Sequence, residues 1–226
     1  MSRHGEPTIA LLHAGKAAMA PAEAALREVF PDAQFRHVLD ESLFFDLDGL
    51  PSELLKHRFL RLLDHVAADG CDAVLSTCSV YGPLVAHHES PVPVLAPFES
   101  MVREVFRRAP SKVGILGWLQ GSNDVIIEEL SREAANRQVR CAEVESAVVP
   151  GAKAASESSD VDRLEELLCE AATPMAKNGV ELLLIAQYTM SIVDRSSIER
   201  CVGIPCLTPP SLAAVELLAR LDTSEV

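Results

Sequence analysis

Short apolar runs that end at small or polar residues alternate with amphipathic stretches along the chain. Two of these runs have the same layout. One leads from Gly70 to Cys78 and the other from Gly179 to Gln187, with eight positions between glycine and polar residue in each. Each is followed by a short apolar segment with flanking prolines, at 93–97 and at 205–209. The pattern therefore predicts two similar halves, in which Cys78 and Gln187 correspond.

The same pattern predicts the other elements of both halves. Further strands are expected at 8–13, 35–39, 112–117, 139–144 and 204–208. Helices are expected at 21–30, 53–66, from 99, at 122–136 with a cap at 122–124, at 161–178, at 190–201 and from 211. The segment 151–160 is small and polar and is expected to be a loop.

Strands that alternate with helices, and that are apolar throughout, are typical of parallel sheets covered on both faces. The sequence thus predicts an α/β protein, and the repeat favours two lobes over one eight-stranded sheet. Ligands of such sheets bind beyond the carboxyl ends of the strands. Cys78, Gln187, His13, Asp40 and Gly117 all follow strands. If the lobes face each other, these residues converge on one cleft.

Composition narrows the class of partner. The 226 residues are 48% hydrophobic and carry a formal net charge of −13, and Arg107 with Arg108 is the longest basic cluster. A nucleic-acid surface needs a basic patch, so none is expected. No apolar run is long enough for a membrane span, and the N-terminus lacks a signal peptide, so a cytoplasmic protein is expected. Six cysteines without zinc-ligand spacing indicate reduced thiols and no metal site.

The residues after the paired strands carry a family resemblance. The motifs Cys78-Ser79-Val80-Tyr81 and Ala186-Gln187-Tyr188-Thr189 resemble the two signatures of the aspartate/glutamate racemase superfamily. That superfamily includes amino-acid and hydantoin racemases, maleate isomerase and arylmalonate decarboxylase. The resemblance implies two pseudo-symmetric lobes with a cleft between them, no cofactor, and a homodimer. It also implies that the last helix returns to the first lobe, which gives 1–97 plus 209–226 and 98–208.

One departure from the family pattern changes the expected chemistry. Two-base racemases place a thiol on each face of the substrate, whereas Gln187 cannot titrate. Another departure is His13-Ala14-Gly15, where glutamate racemases have Asp-Ser-Gly. We therefore expect an isomerase or lyase that acts on a small carboxylic acid with the single Cys78 thiol. The alternatives are a non-catalytic binder of small carboxylates and a racemase with His13 or Tyr188 as second base.

Each candidate residue has a functional and a structural interpretation. Cys78 at a helix start would have its pKa lowered below about 8.5 and act as a thiolate; otherwise it is a small buried residue. Gln187 would bind a substrate carboxylate or amide, or be structural. His13 would be a general acid, or simply hydrogen-bonded at the strand end. The phenols of Tyr81 and Tyr188 would donate a proton or bind an oxyanion, unless their placement is chance.

The remaining candidates concern substrate binding. Backbone N–H groups at the two helix starts are suited to a carboxylate, although the same residues serve equally as helix caps. Asp40 is expected to begin a loop over the cleft, and Trp118 to form a pocket wall or to pack. The predicted substrate-binding set is Ser79, Val80, Tyr81, Asp40, Gly117, Trp118, Thr189 and Met190.

Overall fold

The computed structural model describes residues 6–45 and 50–223. Contacts divide the chain into two compact units: the first extends to Pro97 and resumes at Pro210, and the second comprises Phe98–Pro209. Each unit contains a four-stranded parallel sheet flanked by helices. The predicted α/β class with two similar parallel sheets is confirmed.

The strands of the two sheets follow the same order in space, β2-β1-β3-β4 in the first unit and β6-β5-β7-β8 in the second. Their bounds are β1 Thr8–His13, β2 Gln34–Leu39, β3 Ala73–Ser76, β4 Val94–Leu95, β5 Lys112–Gly117, β6 Glu143–Val148, β7 Leu182–Ile185 and β8 Cys206–Leu207. The central strands β1, β3, β5 and β7 are almost wholly buried, which is why their sequences are apolar on both faces.

The helices cover these sheets. They are α1 Met19–Val29, α2 Ser42–Phe45, α3 Glu53–Ala68, α4 Gly82–Val85, α5 Glu99–Arg108, α6 Gln120–Arg137, α7 Ala152–Ser158, α8 Val161–Lys177, α9 Arg195–Val202 and α10 Pro209–Thr223, with 3-10 turns at Lys16–Ala18, Ser79–Tyr81 and Tyr188–Ile192. Of the helices in the described part of the chain, none has the length and apolarity to cross a bilayer.

Helix α3 illustrates how the sequence positions a helix. Ser52 accepts a hydrogen bond from Leu55 N at 3.3 Å and caps the N-terminus. Leu55, Phe59 and Leu63 then recur on one buried stripe against the sheet. The preceding proline and the capping serine therefore fix where α3 begins, and the apolar stripe fixes which face it buries.

Strand register makes the two halves equivalent residue by residue. Ile9 pairs with Ala73 in the first sheet, and Val113 pairs with Leu182 in the second. Cys78 lies five positions after Ala73, and Gln187 lies five positions after Leu182. The predicted correspondence of Cys78 and Gln187 is thus present in the backbone pairing.

Several predicted elements differ from the observed ones: for example, α1 and α10 each begin two residues before the predicted start. Strand β6 begins at Glu143 rather than 139, because Lys112 pairs with Glu143 and sets the register. The expected loop at 151–160 contains α7, whose Ala152 and Ala155 are buried in the core of the second unit. Helix α6 begins at Gln120, before the predicted cap, and the expected helix at 190–201 is a 3-10 turn followed by α9.

Candidate functional site

Cys78 follows β3 and begins the turn Ser79–Tyr81. The side chain of Cys78 is buried, and its Sγ donates to Leu12 O at 3.6 Å. Burial raises the pKa of the Cys78 thiol to about 12, although the nearby backbone of Ala14 and the hydroxyl of Ser76 act to lower it. The expected lowered pKa is wrong: the helical turn after Cys78 is short, and desolvation of the thiolate outweighs it. At neutral pH Cys78 is a neutral thiol.

His13, at the end of β1, is fully buried and hydrogen-bonded at both ring nitrogens. Nδ1 lies 2.9 Å from Thr77 Oγ1, and Nε2 lies 3.0 Å from His37 Nδ1. Burial, followed by the neighbouring His37, lowers the pKa of His13 to about 3. A neutral imidazole with both nitrogens occupied is a poor general acid, so this geometry favours the structural interpretation.

Asp40 directly follows β2 and lies next to β1 through its backbone, since Asp40 N donates to His13 O at 3.0 Å. Its carboxylate accepts Arg58 Nε at 2.6 Å and Nη2 at 3.0 Å, and it caps α2 through Ser42 N at 3.1 Å. Burial acts to raise the pKa of Asp40, but the hydrogen bonds from Arg58 and Ser42 lower it overall. The carboxylate therefore stays ionised and anchors the start of the segment after β2.

The residues after Cys78 have different surroundings. The hydroxyl of Tyr81 donates to Leu43 O at 2.7 Å, and its ring stacks on Phe59 with centroids 4.7 Å apart. Val80 is buried as well. These contacts favour packing over substrate binding for the Tyr81 side chain. Carboxylate binding by the amides of Ser79 and Val80 stays a prediction.

Gln187 follows β7 and is buried in the second unit. Its Oε1 accepts a hydrogen bond from Trp118 N at 3.1 Å. Its Nε2 has no hydrogen-bond partner among the described residues. One end of the amide is thus held by the backbone, while two N–H donors are left for another acceptor.

Asn123 lies beside this strand end and was not predicted as a site residue. Its Nδ2 donates to Ser146 Oγ and Ala147 O, both at 3.1 Å, whereas its buried Oδ1 is unpartnered within the described chain. Gly117 makes room for it, because a Cβ at position 117 would lie 2.1 Å from Asn123 Oδ1. The glycine is therefore a packing requirement at the end of β5.

Trp118 and Thr189 link the ends of β5 and β7. Trp118 Nε1 donates to Thr189 Oγ1 at 2.9 Å, and Lys153 lies 5.9 Å from the Trp118 ring centre. Tyr188 is buried, which raises the pKa of its phenol, and its hydroxyl has no partner in the residues described. Met190 is buried in the apolar core. A phenol with so high a pKa is unsuited to act as a base, which weighs against Tyr188 as a second base.

The structure brings the predicted residues together in two groups. In the first unit, Cys78 and the unpredicted Thr77 both contact Leu12 O, and His13 is hydrogen-bonded to Thr77. Gly117, Trp118, Gln187 and Thr189, with the unpredicted Asn123, meet in the second. No cluster of three or more His, Cys, Asp or Glu side chains that could hold a metal occurs in the described ranges.

Comparison with known proteins identifies the family to which the chain belongs. The sequence profile described as Asp/Glu/Hydantoin racemase matches residues 9–217. No curated protein sequence matches the chain.

Several solved structures share the fold. A glutamate racemase isoform from Bacillus anthracis superposes with a TM-score of 0.76 at 15% identity, covering 98% of this chain and 84% of that one. The aspartate racemase of Picrophilus torridus gives 0.68 at 14%, with 96% and 95% covered. The allantoin racemase of Klebsiella pneumoniae gives 0.68 at 14%, with 97% and 89% covered. By its sequence profile, and in agreement with this fold, the chain belongs to the Asp/Glu/hydantoin racemase family.

Proposed function

We propose that the protein is a cofactor-independent isomerase or lyase that acts on a small carboxylic acid, with Cys78 as its one proton-transferring thiol. Membership of the racemase family supports the reaction class. The position of Cys78 at the carboxyl end of a central parallel strand supports its role, since ligands of such sheets bind there. The equivalent position in the other half holds Gln187, which has no proton to exchange at any ordinary pH.

The protonation state of Cys78 decides which part of the reaction it performs. With a pKa of about 12, Cys78 carries its proton at neutral pH. A protonated thiol is ready to donate to a carbanion and is not ready to remove an α-proton. The contact in which Sγ donates to Leu12 O at 3.6 Å is also that of a protonated thiol, and both features favour a reaction whose first step forms the carbanion without a base.

Decarboxylation of a malonate-type diacid is such a reaction. The bond between the α-carbon and one carboxylate breaks, CO₂ leaves, and the bonding electron pair is delocalised into the remaining carboxylate as an enediolate. The α-carbon then takes the Sγ proton of Cys78, and the resulting thiolate regains a proton from water. Because a single thiol delivers the proton, the product is expected as one enantiomer.

The test is turnover in D₂O. Wild-type protein is incubated with 2-substituted malonates, maleate, aspartate and hydantoins, and products are followed by proton NMR and chiral chromatography. We expect one substrate class to be converted with a single deuterium at the α-carbon and one product configuration. Cys78→Ser should lose about 100-fold or more in rate, as expected when a proton-transferring group is removed.

Cys71→Ser is the matched control, because Cys71 is also buried and also donates to a backbone carbonyl, Val66 O at 3.4 Å, near the other end of β3. It should keep wild-type turnover. Full activity in Cys78→Ser, or equal losses in both variants, would reject the proposed role of Cys78.

A second candidate is a non-catalytic binder of small carboxylates or amides. It is favoured by Gln187 Nε2 and Asn123 Oδ1, a buried donor and a buried acceptor without partners in the described residues. The deciding measurement is a thermal-shift series with malonate, maleate, aspartate and hydantoin. A ligand that raises the Tm of wild type and of Cys78→Ala equally, with no substrate turned over, supports this candidate over the enzyme.

A further inference from the structure

A chain of polar side chains leads from the surface of the first unit to the carbonyl that holds the Cys78 thiol. Glu23 Oε2 lies 2.9 Å from His37 Nε2, His37 Nδ1 lies 3.0 Å from His13 Nε2, and His13 Nδ1 lies 2.9 Å from Thr77 Oγ1. The side chain of Glu23 is 32% exposed and that of His37 18%, whereas His13 is fully buried. We call Glu23, His37, His13 and Thr77 the relay.

The outer carboxylate fixes the direction of every hydrogen bond while His37 is neutral. A carboxylate only accepts, so His37 Nε2 carries the hydrogen and His37 Nδ1 is an acceptor. His13 must then donate from Nε2 and accept at Nδ1. Thr77 completes the sequence by donating its hydroxyl hydrogen to His13 Nδ1.

The inner end of the relay lies at the carbonyl oxygen of Leu12, which has more possible donors than lone pairs. Leu12 O has Thr77 N at 3.0 Å, Thr77 Oγ1 at 3.3 Å and Cys78 Sγ at 3.6 Å as possible donors. A carbonyl oxygen has two lone pairs. The Thr77 amide occupies one, so the Thr77 hydroxyl and the Cys78 thiol compete for the other. When the Thr77 hydroxyl donates to His13, the Cys78 thiol keeps its hydrogen bond to Leu12 O.

We propose that protonation of His37 reverses the relay and displaces the Cys78 thiol from Leu12 O. Protonated His37 donates from both nitrogens, so His13 Nε2 becomes the acceptor and the His13 hydrogen moves to Nδ1. Thr77 Oγ1 then accepts from His13, and its own hydrogen turns to Leu12 O. One proton is added at His37, and His13 stays neutral with its hydrogen on the other nitrogen.

The groups around His37 favour the proton on this ring rather than on His13. Helix α1 presents the Glu23 carboxylate, which is itself paired with Arg27 Nε at 2.8 Å, and β1 presents His13. Asp40, beyond the end of β2, is already bound by Arg58. His13 is buried and has no carboxylate in hydrogen-bond contact among the described residues, so a charge there would be desolvated without a counter-ion.

The relay makes His37 and His13 positioning residues for Cys78, an inference that rests on the proposed function. A thiol displaced from Leu12 O is able to direct its hydrogen at a bound carbanion. Turnover by Cys78 is therefore expected to rise as the pH falls through the titration of His37. The relay would thus make the rate of proton donation by Cys78 depend on pH.

The test is nitrogen-15 NMR of the histidine rings in uniformly labelled full-length protein, without substrate. We expect the ring hydrogen of His13 to move from Nε2 to Nδ1 at the same pH at which His37 titrates. In Glu23→Gln the two events should still occur together. In His37→Gln the His13 tautomer should no longer depend on pH. The ring signals of exposed His65 serve as the internal reference in all three proteins.

The outcome that overturns the relay is a His13 hydrogen that stays on one nitrogen while wild-type His37 titrates. This measurement of the His13 tautomer needs only wild-type protein, so its result is valid even if a variant folds poorly. It is also independent of turnover: a tautomer exchange in a protein without activity rejects the proposed function and keeps the relay. An active protein whose pH profile lacks an inflection at the His37 midpoint rejects the link from the relay to Cys78.

Discussion

Cys78 and Gln187 lie at equivalent positions of the two sheets, and each is hydrogen-bonded to backbone at the end of the neighbouring central strand. Cys78 Sγ donates to Leu12 O at 3.6 Å, and Gln187 Oε1 accepts from Trp118 N at 3.1 Å. Leu12 lies in β1 and Trp118 directly follows β5, and these are the central strands that pair with β3 and β7. The repeat therefore keeps a side-chain hydrogen bond to this backbone, while the side-chain group changes from a thiol donor to an amide acceptor.

Replacing Gln187 by glutamate should make stability depend on pH. Gln187→Glu keeps an acceptor for Trp118 N but buries a carboxylate, and burial raises the pKa of a carboxyl group above its unfolded value. The folded state then binds the proton more tightly, so stability is retained at low pH and lost as pH rises through the raised value. We expect the loss relative to wild type to be about 1–3 kcal/mol larger at pH 8 than at pH 5 in urea unfolding.

Gln187→Met is the control for that experiment, because it removes the amide without adding a charge. Its loss of stability should be the same at both pH values. A pH-independent loss in Gln187→Glu would mean that position 187 is open to water.

Loss of the hydroxyl should lower the stability of the protein at Tyr81, but should leave it unchanged or raise it at Tyr188. Tyr81→Phe removes a buried hydrogen bond to Leu43 O at 2.7 Å and should lower the free energy of unfolding by about 1–3 kcal/mol. Tyr188→Phe removes a buried hydroxyl without a partner in the described residues, so stability should stay within about 0.5 kcal/mol or increase. Equal losses in the two variants, measured by chemical denaturation, would show that Tyr188 has a hydrogen-bond partner.

Gly117→Ala should destabilise the second unit through a clash with Asn123. The added Cβ would lie 2.1 Å from Asn123 Oδ1 and 3.1 Å from Ala186 Cβ, and overpacking of this kind costs about 1–3 kcal/mol. Gly15→Ala, where no atom lies within 4 Å of the added Cβ, should have little effect. Adding Asn123→Ala to Gly117→Ala should recover part of the loss in a double-mutant cycle.

Acid should destabilise the protein through His13. The unfolded chain protonates this imidazole below about pH 6.5, whereas in the folded protein the pKa is about 3. The unfolded state therefore binds more protons in this window, and stability falls as pH falls from about 6.5 to 3. His13→Gln should reduce that slope, with a difference of a few kcal/mol across the window. Exposed His65→Gln should leave it unchanged, and an unaltered slope in His13→Gln would contradict the low pKa.

Thiol labelling should follow exposure rather than position at a strand end. Cys201 is exposed and Cys141 half-exposed, whereas Cys78 is buried with a pKa of about 12. Iodoacetamide at pH 8 should therefore modify Cys201 and Cys141 well before Cys78, as followed by peptide mass spectrometry. Labelling of Cys78 first would indicate a thiolate and a base or nucleophile role.

Most of the strands are predictable from the sequence because the information that specifies them is local. The apolar strands, and the glycines Gly70 and Gly179 that precede two of them with positive φ, are visible as patterns. Strand β6 was displaced because its own sequence is half polar and its register comes from β5. Helix α7 was missed because its small residues become apolar contacts only against the core of the second unit.

The sequence predicts only those residues of the candidate site that directly follow strands. Cys78 and Gln187 were found through the repeat, but the relay was not, since Glu23 and His37 are 14 residues apart and His13 and Thr77 are 64 apart. No short motif encodes such contacts. The pKa of Cys78 was predicted in the wrong direction because burial, unlike the position after a strand, is a property of the whole fold. Convergence of both strand ends on one cleft stays a prediction.

Helix α10 determines when the first unit can complete its fold during translation. Its buried face includes Ala213, Ala214 and Leu217, and Arg220 Nη1 donates to Val94 O at 3.0 Å, so the last helix completes the first unit. The second unit is encoded without interruption and can fold as soon as it leaves the ribosome. The half that carries Cys78 begins first and is finished last, when translation reaches α10.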